Sequence, residues 1–326
     1  MIISQTPYRV SFAGGGTDLP AFYREDFGAV FSVTIARHIY VTVHGRFTDD
    51  IRVAYSKMEV VEDARHLKHE LAREAIHMLG LPPRLEITTI GDVPGGTGMG
   101  SSSTATVGLL HALHAFKGEI CSRNQLAEEA CRVEIDHLGK PIGKQDQYAA
   151  AFGGLNYIRF NPDETVDVEP VPVRAGLLTE LEDRVLLMYT AQQRSADGIL
   201  KQQSEGTADK RTVLTKMRDL ADAMRQSLAG SGDLAEFASL LHEGWELKRS
   251  LGFGITNPQI DQWYQEARRV GAEGGKLLGA GGGGFLLLMA PPDRHEAIRA
   301  ALGRPRELPF KIDRSGSRII FVSDQH

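Results

Sequence analysis

The segment Asp92-Val93-Pro94-Gly95-Gly96-Thr97-Gly98-Met99-Gly100-Ser101-Ser102-Ser103 constrains this chain more than any other stretch. Ahead of it, Leu85-Glu86-Ile87-Thr88-Thr89-Ile90 alternates apolar and polar side chains as a half-buried strand does, and behind it residues 102–116 carry apolar side chains at helical spacing. A strand, a glycine-rich turn and a helix in that order make an anion site. Glycines let the backbone turn tightly and approach a ligand, while the unpaired N–H groups of the helix's first turn and its dipole face negative charge. Phosphates suit such a site. Ser101, Ser102 and Ser103 then read as helix caps, as donors to phosphate oxygens or as hydroxyl ligands of magnesium. The competing reading is a glycine-rich turn with an ordinary serine cap.

The rest of the chain is mixed. Residues 30–35 and 39–43 are β-branched and aromatic runs expected as strands, and residues 63–79 read as an amphipathic helix capped by Asp63. Residues 124–137 have helical spacing, and residues 153–160 read as a return strand. The pattern breaks around residues 161–164, and a domain junction is placed near Arg174, dividing the chain into 1–174 and 175–326. Beyond it, residues 184–189, 285–289 and 318–322 are expected as strands, and residues 208–228, 233–248 and 258–270 as helices. The result is an α+β protein of mixed layers.

Composition narrows the function. A net charge of -5 without a basic cluster argues against nucleic acid as a partner. The two cysteines, Cys121 and Cys131, form no Cys-x-x-Cys pair, and His66 and His69 lack zinc-site spacing. No run approaches a membrane-spanning length, so a cytoplasmic protein without a membrane partner is expected. Two other glycine clusters, Gly14 to Gly16 and Gly281 to Gly284, need separate tests. No glycine is followed by Lys-Ser or Lys-Thr, which excludes a Walker-type site. Gly279, Gly281 and Gly284 match Gly-x-Gly-x-x-Gly but run into an apolar strand rather than a helix, so the dinucleotide reading fails on context.

Three motifs in order across nearly the whole chain resemble the GHMP kinases, the superfamily named for galactokinase, homoserine kinase, mevalonate kinase and phosphomevalonate kinase. The N-terminal one is Thr6-Pro7-Tyr8-Arg9-Val10-Ser11-Phe12-Ala13-Gly14-Gly15-Gly16-Thr17-Asp18. The phosphate loop is Pro94 to Ser103, with Met99 where leucine is frequent, and the C-terminal one is Lys276-Leu277-Leu278-Gly279-Ala280-Gly281-Gly282-Gly283-Gly284-Phe285. The resemblance implies an α+β fold in two domains, the first mixed α/β and the second ferredoxin-like, with the active site in the cleft between them. Within the superfamily, Gly-Gly-Gly-Thr-Asp and Gly143-Lys144-Gln145-Asp146-Gln147-Tyr148 resemble the heptose kinases, which phosphorylate the anomeric hydroxyl of D-glycero-D-manno-heptose 7-phosphate. Kinases of L-fucose or galactose, or a non-catalytic sensor of ATP and sugar, are the alternatives. A homodimer is left open.

The resemblance also assigns roles. It implies ATP held by Pro94, Gly95, Gly96, Thr97, Gly98, Met99, Gly100, Ser101, Ser102 and Ser103, and Mg2+ held by Ser102 and Glu134; without it, Glu134 reads as a solvated helical carboxylate. Asp146 is the candidate general base, with Arg9 and Lys144 beside the reacting centre to neutralise charge. Gly15, Gly16, Thr17 and Asp18 are candidate sugar contacts, against a reading of Asp18 as a helix cap. Thr190, Gln193 and Arg194 are the second domain's expected contribution, and Arg194 or Arg24 would pair with a distal phosphate. Gly281 to Gly284 either bring backbone to the nucleotide phosphates or the phosphate loop, or form a tight hairpin between core strands, and Gly282 and Gly283 are candidate substrate contacts.

Overall fold

In the computed structural model, residues 1–192, 207–252 and 254–323 are described. Strand β1 (Ile2–Ala13) pairs antiparallel along most of its length with the long strand β2 (Gly28–Gly45). The two runs expected as separate strands are thus one, and its pairing with β1 shifts register twice, between Pro7 and Tyr8 and between Ser11 and Ala13. The half of β2 from Ile39 onward pairs with β5 (Leu85–Gly91), and the half from Gly28 pairs with β6 (Leu155–Phe160). With β3 (Ile51–Ala54), β4 (Met58–Val61), β7 (Val166–Pro170) and β12 (Arg318–Val322) these make an eight-stranded sheet.

The second sheet runs β11 (Glu307–Leu308), β8 (Val185–Tyr189), β10 (Phe285–Met289), β9 (Gly274–Leu277), antiparallel throughout. Counted within this half the order is 4-1-3-2, the ferredoxin-like arrangement that the resemblance implied. Strand β12 leaves this half and pairs with β1, so the last strand among the described residues completes the first sheet. Helix Leu234–Ser250 also joins the halves: Phe237 packs edge-on against Phe12 with ring centroids 5.1 Å apart and lies 6.2 Å from Phe31. Its N-cap Asp233 accepts from the N–H groups of Ala235 and Glu236.

Two helical expectations change. Asp63 caps only a short turn, Ala64–His66, and the helix proper is Glu70–Met78, whose cap is the His69 ring accepting from the N–H of Ala72. The helix expected over 124–137 is an α-helix, Arg123–Cys131, followed by a π-helical segment, Arg132–His137. A π-helical segment widens the turn and re-aims its side chains, and such segments concentrate at functional sites. Among the described residues, no helix is long and apolar enough to cross a membrane.

Candidate active site

The phosphate loop leaves β5 and enters helix Ser101–Phe116 at Gly100. Gly96, Gly98 and Gly100 have φ values of 73°, 82° and 74°, a region that only glycine enters without strain. The expectation of a serine cap is corrected here. The N-cap is Gly100, without a side-chain bond, and Ser101 is already the first helical residue. The loop is pinned from beneath: Met99 is fully buried, Thr97 Oγ1 donates to the Pro94 carbonyl at 3.0 Å, and Tyr8 Oη donates to the Val93 carbonyl at 2.8 Å.

The C-terminal glycine turn lies directly on this loop. A Cβ on Gly98 would stand 2.5 Å from the Leu278 oxygen, one on Gly279 2.4 Å from Gly98 Cα, and one on Gly284 2.3 Å from the Thr97 oxygen. Only glycine permits that approach, which decides for close backbone contact over a simple hairpin. Thr190 secures the turn rather than lining the cavity: its N–H and its hydroxyl both donate to the Gly284 carbonyl at 2.9 Å.

A cavity of about 280 Å³ opens above the loop, lined by Gly96, Gly98, Gly100 and Ser101 to Ser103 on one side and Gly279 to Gly281 and Gly283 on the other. Asp146 stands in it on the first turn of helix Gln145–Phe152. Arg9 grips its carboxylate with both arms, Nε to Oδ1 at 2.7 Å and Nη2 to Oδ2 at 2.8 Å, and spends Nη1 on the Gly98 carbonyl at 2.6 Å. Such a fork fixes the carboxylate's plane as well as its position. Asp146 Oδ2 is so near the start of the loop helix that a Cβ on Gly100 would lie 3.0 Å from it.

Glu134, on the π-helical segment, is completely buried, so the solvated-carboxylate reading fails. Ser102 Oγ donates to its Oε1 at 2.6 Å and Gln147 Nε2 to its Oε2 at 2.8 Å. Burial pushes its carboxyl up, with the donors and the neighbouring Asp146 acting against and with that shift. A hydroxyl and a carboxylate side by side are hard oxygen ligands of the kind magnesium takes, with water and phosphate as the remainder. The residues present fit that ion.

Asp18 is also buried and is no helix cap; the helix that follows, Pro20–Tyr23, has Leu19 at its N-cap. Its Oδ1 accepts from the Gly16 N–H at 3.0 Å and its Oδ2 from Gln145 Nε2 at 3.0 Å. Burial first, and then the negative charge of Asp146, raise its carboxyl above the usual range. Gly15, Gly16 and Asp18 line the cavity, whereas Thr17 is turned into the frame, its hydroxyl donating to the Gly14 carbonyl at 2.7 Å. Gly282 likewise donates its N–H to the Ile255 carbonyl, outside the lining.

The expected place of Lys144 beside the reacting centre is corrected. Its ammonium donates to Glu164 and sits 5.0 Å from the Tyr23 ring centroid, and the residue does not line the cavity. Arg24 is engaged by the same Glu164 carboxylate at 2.7 Å. Gln193 and Arg194 lie outside the described residues. Sequence reasoning missed Lys248 and Lys276, which both line the cavity, and gave Gln147 no role. Lys276 opens the C-terminal motif, a signal that was available; Lys248 looks like any lysine near a helix end.

Comparison with known proteins decides the family. Residues 60–154 match the GHMP kinases N terminal domain and residues 220–306 match GHMP kinases C terminal, together more than half of the chain. The chain is a GHMP kinase. It is accordingly an ATP-dependent phosphotransferase with an alcohol group as acceptor. This kinase is 28% identical to the D-glycero-alpha-D-manno-heptose 7-phosphate kinase of Campylobacter jejuni over 95% of this chain and 96% of that protein. It superposes with a TM-score of 0.81 and 27% identity on the crystal structure of a D-glycero-D-manno-heptose 1-phosphate kinase from Bacteroides thetaiotaomicron, covering 99% of this chain and 100% of that one. It is 24% identical to the bifunctional fucokinase/GDP-fucose pyrophosphorylase of Arabidopsis thaliana over 94% of this chain, but spans only 32% of that longer protein.

Proposed function

We propose that this kinase phosphorylates the anomeric hydroxyl of D-glycero-D-manno-heptose 7-phosphate, giving the 1,7-bisphosphate on a route to nucleotide-activated heptose for surface polysaccharide. The observation that carries the catalytic part is the Asp146 carboxylate, locked by Arg9 at the mouth of the phosphate-loop helix and facing the cavity. The heptose phosphate is supported by similarity over nearly the full length of two heptose phosphate kinases, against a weaker likeness to a fucokinase.

The arrangement does the following work. Backbone N–H groups at the start of helix Ser101–Phe116 hold the phosphates of ATP. Asp18, with its remaining acceptor capacity, and the backbone of Gly15 and Gly16 orient the sugar hydroxyls. Asp146 takes the proton of the acceptor hydroxyl as that oxygen attacks the γ-phosphorus; the bond from that phosphorus to the β,γ-bridging oxygen breaks and ADP departs. Ser102 and Glu134 would hold Mg2+, which neutralises phosphate charge when bound. Gln147 and Ser102 keep the Glu134 carboxylate oriented for that task.

An acceptor panel tests the reading. ADP release from Mg·ATP is followed with heptose 7-phosphate, mannose, L-fucose and galactose offered separately, and turnover is expected on heptose 7-phosphate alone. Preference for fucose or galactose would move the acceptor while keeping the kinase, and no turnover with any acceptor would leave a binding-only sensor.

A further inference from the structure

The cavity holds two ammonium groups that neither the phosphate loop nor the base explains. Lys248 comes from helix Leu234–Ser250 and Lys276 from β9; both line the cavity, with only 6% and 7% of their surface exposed. Among the described residues, neither has a carboxylate within ion-pair distance. Lys248 Nζ donates to the Leu277 carbonyl at 3.2 Å and to the Gly279 carbonyl, and Lys276 Nζ donates to the Phe12 carbonyl at 3.0 Å. An ammonium has three N–H donors, so one on Lys248 and two on Lys276 have no protein acceptor in these bonds.

Buried cations without a counter-ion are strongly disfavoured, so two lysines held together in this way readily release their protons in the free protein and keep them only when an anion enters beside them. Their surroundings say where it sits. The carbonyls they hold belong to the end of β9, to the glycine turn lying on Gly98 and to β1 just beyond Arg9. Burial, and then the positive charges of Arg9 and, for Lys276, of Lys248, push Lys248 down to about 7 and Lys276 well below its ordinary range. Arg9 lines the same cavity as both, and Arg9 already has its own anion in Asp146. The anion that completes the lysines lies next to the base, which is the place of the phosphorus under attack.

We propose that Lys248 and Lys276 are catalytic residues that seat the phosphoryl group in transfer, contacting the terminal phosphate of ATP rather than the inner phosphates. This rests on the kinase reading above. The lysines form no covalent bond and give up no proton to the acceptor. They balance the negative charge of the phosphoryl oxygens while charge passes from the acceptor oxygen to the departing bridging oxygen.

The test is calorimetric binding of Mg·ATP and Mg·ADP without acceptor to the wild type, Lys276→Met and Lys248→Met, with thermal denaturation as the fold check. Wild type should prefer ATP over ADP by about tenfold or more, as charge-assisted hydrogen bonds to one added phosphate supply. Each folded variant should lose that preference while its ADP affinity stays within about twofold of wild type. Equal losses for both nucleotides would reduce the lysines to struts beneath the glycine turn, and unchanged ATP affinity would overturn the proposal outright. If a variant does not fold, absence of an ATP preference in the wild type is enough to overturn it. Acceptor turnover by the wild type tests the kinase reading separately, so the two can fail independently.

Discussion

The two walls of the cleft handle charge in opposite ways. On the N-terminal wall every carboxylate has its donors in place: two guanidinium N–H bonds on Asp146, Ser102 and Gln147 on Glu134, and Gly16 and Gln145 on Asp18. On the C-terminal wall Lys248 and Lys276 meet only backbone carbonyls. The acidic wall is organised before any ligand arrives, which is how a site avoids reorganising at the moment of reaction. The basic wall is completed by its ligand. If this division is right, breaking the first wall should slow chemistry, and breaking the second should alter which nucleotide is held.

The largest effect is expected at Asp146. Asp146→Asn keeps the size and one acceptor oxygen but removes the base, and turnover should fall by about 10²–10⁴ while Mg·ATP affinity is nearly retained. Single-turnover rates alongside nucleotide binding separate the two quantities. Turnover near that of wild type would take Asp146 out of the base role and leave its bond to Arg9 as a purely structural link.

Next come the groups assigned to magnesium. Ser102→Ala and Glu134→Gln should each raise the magnesium concentration needed for half-maximal rate, and Gln147→Leu, which removes the side-chain hydrogen bond to Glu134, should do so by about 10–100-fold, as loss of an outer-shell partner does. Magnesium titrations left unmoved by both Ser102→Ala and Glu134→Gln would sink the metal assignment. A fall in maximal rate at saturating magnesium, with no shift in its midpoint, would place Glu134 in loop support instead.

The contrast between the walls also explains what the sequence revealed. Asp146, Ser102 and Asp18 sit inside contiguous motifs whose glycines advertise a backbone conformation, so their positions could be read directly. The ferredoxin-like arrangement came from the resemblance: of its four strands the residues themselves pointed only to Val185–Tyr189 and Phe285–Met289, the short Gly274–Leu277 and Glu307–Leu308 gave no signal, and nothing local showed that Arg318–Val322 would cross to pair with β1. Long-range pairing of that kind leaves no mark on neighbouring residues. Lys144 misled because it adjoins Gln145 and Asp146 in sequence, yet the turn into helix Gln145–Phe152 directs it to Glu164. Lys248 was illegible for the opposite reason: in Trp245-Glu246-Leu247-Lys248-Arg249-Ser250 it stands among charged residues near a helix end, where a solvated lysine is ordinary. Its burial comes from the glycine turn that packs over it, and that turn lies about thirty residues further along the chain.

The smallest effect is a change in how stability depends on pH, and it sharpens the comparison most. Lys248 is held down to about 7 from an ordinary 10.5, with burial as the main cause and Arg9 as the second. Below pH 7 it is protonated in both native and unfolded chains and contributes no slope. Between about 7 and 10.5 the unfolded chain keeps a proton that the native protein has released, so resistance to unfolding rises with pH. Urea midpoints measured from pH 7 to pH 9 should therefore climb more steeply in the wild type than in Lys248→Met. Cys131, raised by burial, pulls the other way near the top of that range, but it is present in both proteins and cancels in the comparison. Saturating Mg·ATP should flatten the wild-type slope toward that of the variant, because an ammonium bound to phosphate keeps its proton in the native state. Parallel slopes without nucleotide would mean that Lys248 is not desolvated in the free protein. A slope unchanged by nucleotide would mean that no phosphate reaches it, and the basic wall would then be a structural counterpart of the acidic one rather than a site waiting for its anion.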